Sequence, residues 1–405
     1  MDYFCARMGH LVFLQAGTLS AETIQAMNLI FGVSLALLFT GIVAAIRLFL
    51  PWFSWGKAVG KGLEPADCTL MVVGRHDAEG FERWIHAAFA QMPQAEIMAV
   101  DNQSEDDTAN ALEALKRQYP TLTVVTLPSS ERFWSTRKLA LTLAVKAAHR
   151  PYSVWVDTRC EVPADMVAWQ KALTSPLRRG KAVAAFAPVV APRTASFHDR
   201  AEAMAANVWA HLRARPLLPA LKTAKTTGMI PVNFAFQTQS FFDIKGYLTS
   251  MHLDGGEAEF LLNDLASQGA VVPVPQPPAY LVRPWLPQKD PKMRAHRSGQ
   301  ERFATARYGL LLLLVDLVAI AAGLHLVLLW VHMDDFGMLQ PSPQIAFLQA
   351  QLQALLGVYV LLQVSFGVYA IQWAQRLGTG WAVGLSAPIY LRIRLFTKAL
   401  TFWKK

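Results

Sequence analysis

The chain has 405 residues, of which 53% are hydrophobic and only 17% are charged, and its mean hydropathy is +0.26. This balance excludes an ordinary soluble enzyme, in which about 25% of residues are charged, and it is too polar for a chain made only of membrane helices. The net charge of +9 comes from basic residues that cluster beside hydrophobic runs, which favours cytoplasmic flanks of membrane helices over a nucleic-acid partner. Cys5, Cys68 and Cys160 form no CxxC pair and predict neither a disulfide framework nor a zinc site.

The first predicted element is a transmembrane helix at residues 27–50, because this apolar run is long enough to cross a bilayer core of about 30 Å. A cleaved signal peptide is disfavoured, since no small-residue cleavage site follows the run. Arg47, Lys57 and Lys61 flank its C-terminal end. The positive-inside rule therefore places segment 1–26 outside the cytoplasm and the domain that follows inside.

Residues 64–287 have the pattern of an α/β domain. Short apolar segments such as "CTLMVVGR" and "YSVWVDT" alternate with helical segments such as "EGFERWIHAAFAQM". This alternation predicts βαβ units and a mainly parallel sheet. Ligands of such sheets bind at the carboxyl ends of the strands, where Arg75, Asp101 and Asp157 fall.

Two acids at these strand ends and two cations at a helix start are candidate site residues. Asp101 and Asp157 each end a strand, an arrangement that a nucleotide base and ribose can use, although capping of a turn also explains Asp157. Arg137 and Lys138 lie at a predicted helix start, where cations oppose the helix dipole. Contact with a diphosphate would explain this placement, and an isolated surface pair is the alternative.

The C-terminal part contains two further predicted spans. Residues 273–291 are proline-rich and predict an ordered connector, and the basic segment 288–308 is predicted to lie on the membrane surface. Residues 309–331 and 345–373 are long apolar runs that predict transmembrane helices. The basic tail, 374–405, is interpreted as interfacial or re-entrant.

Polar residues inside these spans are further candidates. Asp316, in the second span, is a functional-site hypothesis by default, and we favour a wetted or paired carboxylate near the cytoplasmic face. The third span contains several glutamines that predict hydrogen bonding between helices or subunits, with a polar path as the alternative. These are Gln349, Gln351, Gln353, Gln363 and Gln372.

The order of these segments resembles membrane-anchored family 2 glycosyltransferases with a GT-A fold, in particular a subgroup common in Bacteroidetes. The resemblance covers about residues 69–308. "TLMVVGRHDAEG" is similar to the opening strand of the family, and "VDNQSEDDT" is similar to its acidic loop. "ERFWSTRKLALTLAVKAA" is the closest match, and "FFDIKGY" looks like the acceptor-side segment.

This resemblance implies roles for individual residues. It implies a bacterial inner-membrane protein with a cytoplasmic main domain, a nucleotide-sugar donor, and a lipid or polysaccharide acceptor. The donor-binding residues that it implies are Arg75, Asp77, Asp101, Asn102, Lys138, Asp157 and Arg159. The acceptor-side residues are Asn233, Gly246 and Arg302, and the catalytic carboxylates are Glu257 and Glu259.

The chain departs from the family pattern at positions that carry chemistry. Arg159 stands where the family has the second, metal-binding acid, so Mg²⁺ or Mn²⁺ use is doubtful and no metal ligand is assigned. Ala258 stands at the base position, Val232 replaces an arginine, and Gln300 is one residue out of register. Arginine can supply positive charge to a diphosphate directly, whereas the lost base is harder to replace.

Two functional hypotheses therefore stand. The first is a membrane-bound hexosyltransferase that uses a nucleotide sugar, in a metal-independent reaction. The second is a catalytically inactive relative that serves as a scaffold or regulatory subunit of a polysaccharide synthesis or export complex. A membrane-protein partner or a homo-oligomer would then use the glutamine-rich helix.

Overall fold

The computed structural model describes residues 39, 41–43, 46, 61–127, 136–180, 182–214, 232–252, 257–275, 277–284, 314–324, 327 and 343–403. The chain divides into two compact units. The larger comprises the described residues within Arg47–Asp316 and Val364–Lys405, and the smaller those within Met1–Ile46 and Leu317–Gln363. The predicted segments 1–26 and 288–308, with Gln300 and Arg302, lie outside the described residues.

The larger unit is built around a seven-stranded sheet with the order β3-β2-β1-β4-β7-β5-β8. The strands are β1 Cys68–Gly74, β2 Glu96–Asp101, β3 Thr123–Thr126, β4 Tyr152–Asp157, β5 Ala184–Phe186, β7 Asn233–Gln237 and β8 Val271–Pro273. Strand β7 is antiparallel to β4 and β5, and the other neighbouring strands are parallel. The predicted mixed α/β domain with a mainly parallel sheet is confirmed.

Both faces of this sheet are covered, which explains why its central strands are continuous apolar runs. All seven residues of β1 are buried. Because side chains alternate along a strand, Leu70 and Val72 enter the core on one face, and Met71 and Val73 enter the core on the other.

Seven helices of the larger unit surround the sheet in the described part of the chain before residue 284. They are α1 Ala78–Gln91, α2 Thr108–Gln118, α3 Thr136–Ala147, α4 Met166–Arg178, α5 Phe197–Ala214, α6 Thr238–Asp243 and α7 Glu257–Leu265. Asp77 caps α1 by accepting from the Gly80 amide, and Asp165 caps α4 by accepting from the Ala168 amide. These acids satisfy amides that the helices leave unpaired at their starts.

The proline-rich connector contains more regular structure than the sequence predicts. A single 3₁₀ turn occupies Pro277–Ala279, and β9 Leu281–Val282 follows it. Strand β9 pairs in parallel with β6 Val189–Val190 to form a separate two-stranded sheet. This short pairing holds the connector against the domain.

The described residues after 284 include the helices α8 Leu314–Leu324, α9 Pro343–Arg376 and α10 Trp381–Trp403. Among the described residues, one helix is long and apolar enough to cross a membrane, at Gln349–Arg376. The second predicted span is described only as the shorter apolar helix α8 and residue 327, and the first only at residues 39, 41–43 and 46, all helical.

Helices α9 and α10 are joined by a tight turn. Gly378 and Gly380 have φ angles of +66° and +94°, a backbone conformation that glycine adopts without steric cost. The Thr379 amide donates to the Ala374 carbonyl at 2.9 Å, which closes the end of α9. Helix α10 continues to Trp403, so most of the predicted interfacial tail, 374–405, is one regular helix.

Candidate functional site

The carboxyl ends of β1, β2 and β4 lie side by side. In the register of the sheet, Gly74 is opposite Asp101 and Val73 is opposite Asp157. Strand β7 is antiparallel to β4 and therefore starts at this same edge. Its first residue, Asn233, pairs with Val156 of β4. The fold thus brings the predicted strand-end residues together at one edge of the sheet.

An ion pair between Asp157 and Arg137 occupies the centre of this edge. Asp157 is 3% exposed, and Arg137 Nη2 donates to its Oδ2 at 3.0 Å. The Arg159 amide donates to Asp157 Oδ1 at 3.0 Å. The Arg137 guanidinium also lies 5.9 Å from the centre of the Trp155 ring, within the range of a cation–π contact. Both carboxylate oxygens of Asp157 are therefore engaged by donors of the chain itself.

Several charges act on this pair. Burial alone would raise the pKa of Asp157, but the positive charges of Arg137 and Arg283 outweigh burial and lower that pKa. Burial alone would lower the pKa of Arg137, but the carboxylates of Asp157 and Glu257 outweigh it and raise that pKa. Both members of the pair are charged at neutral pH, in a field set by residues from four separate segments of the chain.

Sequence reasoning missed Arg283 and did not include Arg137 among the donor-binding residues. Arg283 directly follows β9, and its amide donates to the Val190 carbonyl at 2.9 Å. No local motif marks this arginine, because its position depends on the pairing of two-residue strands. For Arg137 the signal was present, since a cation at a helix start needs an anionic neighbour, and Asp157 provides it.

On the donor side, the structure gives local contacts to several predicted residues. Arg75 is exposed, and its Nε donates to His76 Nε2 at 3.1 Å. Asp101 is buried and accepts from the Ser104 amide at 3.2 Å. Asp77 caps α1, so its carboxylate has a structural role. Direct donor contacts by these residues stay predictions.

Asn102 differs from its neighbours at this edge. Its backbone amide donates to the Gly74 carbonyl at 3.0 Å, which joins the residue after β2 to the last residue of β1. Its side-chain oxygen is buried and has no hydrogen-bond partner. A buried amide oxygen without a partner is unusual in a folded protein, so a ligand donor is one way to satisfy it.

Lys138, the neighbour of Arg137, is directed into the core instead. It is fully buried, its Nζ donates to the Ser250 carbonyl at 2.7 Å, and it lies 4.5 Å from the centre of the Phe260 ring. These contacts connect α3 to α7 and to the turn after α6. They give Lys138 a structural explanation, and the predicted contact with a donor has no counterpart among them.

The predicted catalytic segment is the start of α7. Glu257 is buried and acts electrostatically on Arg137 and on Tyr247, so it belongs to the charged cluster at the sheet edge. Burial and the Glu257 carboxylate raise the pKa of Tyr247 well above its usual range. Ala258 is fully buried in the core, and the side chain of Glu259 lies outside the described residues.

The predicted acceptor-side residues shape the backbone. Asn233 is buried, and its Nδ2 donates to the carbonyls of Pro188 and Ala279 at 3.3 and 2.8 Å. Gly246 has a φ of +55°, and a Cβ there would lie 2.6 Å from the Phe241 ring, so only glycine fits. Both residues therefore have structural roles beside any contact with an acceptor.

The described residues at this edge do not offer the set of oxygen ligands that a magnesium or manganese ion needs. Within the described ranges, no group of three or more His, Cys, Asp or Glu side chains is placed to hold a metal. Divalent hard cations need several oxygen ligands, yet both oxygens of Asp157 accept from Arg137 and from the Arg159 amide. We therefore assign no step to a metal.

No protein-family model matches the chain, and no curated protein matches it. Among solved structures, it is similar to a mannosyltransferase from Pyrobaculum calidifontis in complex with GDP-Man and Mn²⁺, with 17% identity over 93% of this chain and 99% of that chain and a TM-score of 0.47. It is also similar to glucosyl-3-phosphoglycerate synthase from Mycobacterium tuberculosis, with 19% identity, 60% and 81% coverage and a TM-score of 0.39. Mannosyl-3-phosphoglycerate synthase from Rubrobacter xylanophilus has 16% identity, 57% and 70% coverage and a TM-score of 0.37. The activities and ligands in these descriptions are those of the neighbours.

Proposed function

We propose that the chain is a membrane-bound glycosyltransferase of the family 2 type, whose arginines bind the diphosphate of a nucleotide sugar. The observation that carries this proposal is the buried Asp157 carboxylate, on which Arg137, Arg283 and Arg159 all act. The two carboxylates that act here, Asp157 and Glu257, do not balance the three guanidinium groups, so the edge of the sheet favours an anion. The planar donor fork of arginine matches phosphate oxygens.

The reaction requires charge stabilisation on the leaving group. The acceptor hydroxyl oxygen forms a bond to the anomeric carbon of the sugar, the bond between that carbon and the phosphate oxygen breaks, and its electron pair stays on the diphosphate. Arginines that are already oriented stabilise this developing charge without reorganisation. Asp157 holds Arg137 in place at 3.0 Å, and we assign Asp101 and Asn102 to contacts with the nucleoside.

The proton of the acceptor hydroxyl needs a base, and the start of α7 provides carboxylates. Glu257 and Glu259 flank Ala258, which stands at the base position of the resemblance. General-base assistance typically contributes about 10²- to 10⁴-fold in rate. We assign this role to Glu257 or Glu259, with Asn233 and Gly246 on the acceptor side and Arg302 as a further acceptor contact.

The membrane location is part of the proposal. Helix Gln349–Arg376 has the length and apolar composition of a span. In the described parts of the other two predicted spans, large apolar side chains are exposed, including Phe39, Leu314 and Ile320. A lipid environment accounts for such surfaces. With the basic flanks, this supports a domain on the cytoplasmic side of a bacterial inner membrane and a lipid or polysaccharide acceptor.

A specific observation favours a second candidate, a catalytically silent scaffold. Ala258 is fully buried in the core, so no small shift in side-chain conformation provides a base at that position. Lys138 and Asp77 are also used in structural contacts. Such a protein would keep the fold and an anion site while it supports a partner in polysaccharide synthesis or export.

Calorimetric titration of the full-length protein with UDP- and GDP-sugars tests the proposal. The titrations are made with Mn²⁺, with Mg²⁺ and with a chelator. We expect binding that is insensitive to the chelator, and release of nucleoside diphosphate in the presence of acceptor. Metal-enhanced binding would contradict the arginine site, and no binding of any nucleotide sugar would rule out the enzyme. Binding without turnover would support the scaffold.

A further inference from the structure

Helix α10 has two different faces, and one of them packs on α5. Val383, Ala387 and Leu391 are buried against α5 residues that include Ala201 and Ala205. The Tyr390 hydroxyl lies 3.2 Å from His198 Nδ1, a residue of α5. This face of α10 is therefore an internal interface of the larger unit.

The opposite face of α10 is apolar and exposed. Trp381, Leu385, Ile389 and Ile393 are spaced by four residues, and they are 64%, 52%, 60% and 53% exposed. Residues at this spacing form a stripe along one side of a helix. The helix continues to Trp403, and further apolar residues follow in the sequence at steps of three or four, Phe396, Leu400 and Trp403. We call the stripe formed by Trp381, Leu385, Ile389 and Ile393 the α10 stripe.

The charged residues of the segment that carries the α10 stripe are all positive, and one of them, Arg392, is paired with Asp316 of α8 at 2.8 Å. Residues 381–405 contain no Asp or Glu, and they contain Arg392, Arg394, Lys398, Lys404 and Lys405. Among the described helices, only Gln349–Arg376 meets the length and apolar composition required of a span. A basic helix with an apolar stripe that is not a span is typical of a helix that lies along a bilayer surface.

The charge pattern also indicates whether a second copy of the chain or a lipid surface covers the stripe. A second copy of α10 would bring the same positive residues to the contact, and like charges across an interface are unfavourable. Acidic lipid headgroups complement these charges, because a negatively charged membrane surface attracts basic residues that lie next to it. The acyl boundary below the headgroups would cover Leu385, Ile389 and Ile393.

We infer that α10 lies in the headgroup region of an acidic bilayer, with the α10 stripe in the acyl boundary. A series of contacts connects α10 to the sheet edge. Helix α10 packs on α5, where Asn207 Nδ2 donates to the Val189 carbonyl of β6 at 2.8 Å, and Arg283 follows the partner strand β9. This second part rests on the proposed function, since it makes the bilayer-bound helix a support for Arg283 beside the diphosphate site.

Spin-label accessibility on the full-length protein tests the inference. The Cys5→Ser substitution removes one native cysteine, and the other two, Cys68 and Cys160, are buried and should not react with the label. A spin label is then attached at one position at a time, in Leu385→Cys, Ile389→Cys and Ile393→Cys. Leu248→Cys is the matched control, because Leu248 is a 70% exposed leucine outside α10. The protein is placed in nanodiscs with phosphatidylglycerol and in nanodiscs of phosphatidylcholine alone.

We expect the ratio of oxygen to nickel-chelate collisions in phosphatidylglycerol to be several-fold higher at 385, 389 and 393 than at 248. Water-like collision ratios at the three positions would overturn the inference, and so would low collision rates with both reagents, which indicate a protein cover. If the collision ratios at the three positions are the same in phosphatidylcholine as in phosphatidylglycerol, the assignment to acidic headgroups is overturned. Nucleotide-sugar titration of the same variants is a separate readout, so failure of the proposed function is distinguishable from failure of this inference.

Discussion

The larger unit contains two Asp–Arg pairs with similar geometry and different surroundings. At the sheet edge, Arg137 Nη2 lies 3.0 Å from Asp157, whose side chain is 4% exposed. Between α8 and α10, Arg392 Nε lies 2.8 Å from Asp316, whose side chain is 21% exposed. At the sheet edge, Arg283 and Arg159 also act on Asp157, and Glu257 acts on Arg137. The more buried carboxylate is therefore the one that lies among the candidate site residues at the strand ends.

The largest expected effect is on the Asp157 pair itself. Asp157→Asn leaves Arg137 without its partner, and loss of one member of a buried pair costs about 3–5 kcal/mol. We expect the free energy of unfolding at neutral pH to fall by about 3 kcal/mol, the lower end of this range, because solvent reaches part of the Arg137 side chain. Denaturant unfolding measures this difference. Glu113→Gln, which breaks an exposed pair on α2, is the control and should change stability by less than about 0.5 kcal/mol.

The same variant has a predicted pH signature. The pKa of Asp157 is lower in the folded protein than its ordinary value, so its stabilising contribution is present above the unfolded-state pKa of about 4. That contribution is lost as the pH falls through the lowered, folded-state pKa. Unfolding curves should therefore converge for the two proteins at acid pH. A stability difference that stays constant with pH would contradict this assignment.

The next largest effect is expected on the binding of the nucleotide sugar. Arg137→Gln removes a charged hydrogen-bond donor worth about 1.5–3 kcal/mol, so nucleotide-sugar affinity should fall about 10- to 100-fold. Titration calorimetry measures the change. Arg117→Gln is the matched control, because Arg117 is exposed on α2, and it should leave affinity unchanged. If Arg159→Gln reduces affinity and Arg137→Gln does not, the sequence assignment of Arg159 is the better one.

Lys138 tests the boundary between site and core. Lys138→Met keeps the side-chain length but leaves the Ser250 carbonyl unpaired, so we expect a loss of about 1–2 kcal/mol in stability. Nucleotide-sugar affinity should be unchanged, because the described contacts of Lys138 are in the core. Titration and thermal unfolding of one preparation give both values. A large loss of affinity in a stably folded variant would restore the predicted donor contact.

The smallest effect is expected at the second pair. Arg392→Gln breaks the contacts with Asp316 at 2.8 and 3.3 Å, but both side chains are partly exposed, and such pairs contribute about 0–1 kcal/mol. Thermal unfolding should change little and donor binding should not change. A donor affinity that depends on Arg392 would remove the distinction between the two pairs.

The sequence predicts the frame of the fold better than the details of the site. The βαβ alternation gives the mainly parallel sheet, because periodicity and strand ends are local properties. The placement of Asp157 and Asp101 at one edge follows from the same rule. The contact of Arg137 with Asp157 depends on how α3 packs, and the position of Arg283 depends on the pairing of β6 with β9. Arg137 and Lys138 are adjacent in the sequence, but adjacent residues on a helix point about 100° apart. Which of the two faces the site and which faces the core is therefore decided by the packing of α3.

The turn of Gly378 and Gly380 limits how far α10 can move from α9. Residues 377–380 span at most about 14 Å when fully extended, so α10 is a segment on a very short tether. Its association with a surface at the end of α9 is then intramolecular, and the effective concentration on a tether of this kind is in the millimolar range or above. A modest intrinsic affinity of the α10 stripe for the bilayer is therefore enough to keep α10 bound there. Lengthening the linker between α9 and α10 should release α10 from the bilayer more effectively than weakening the stripe.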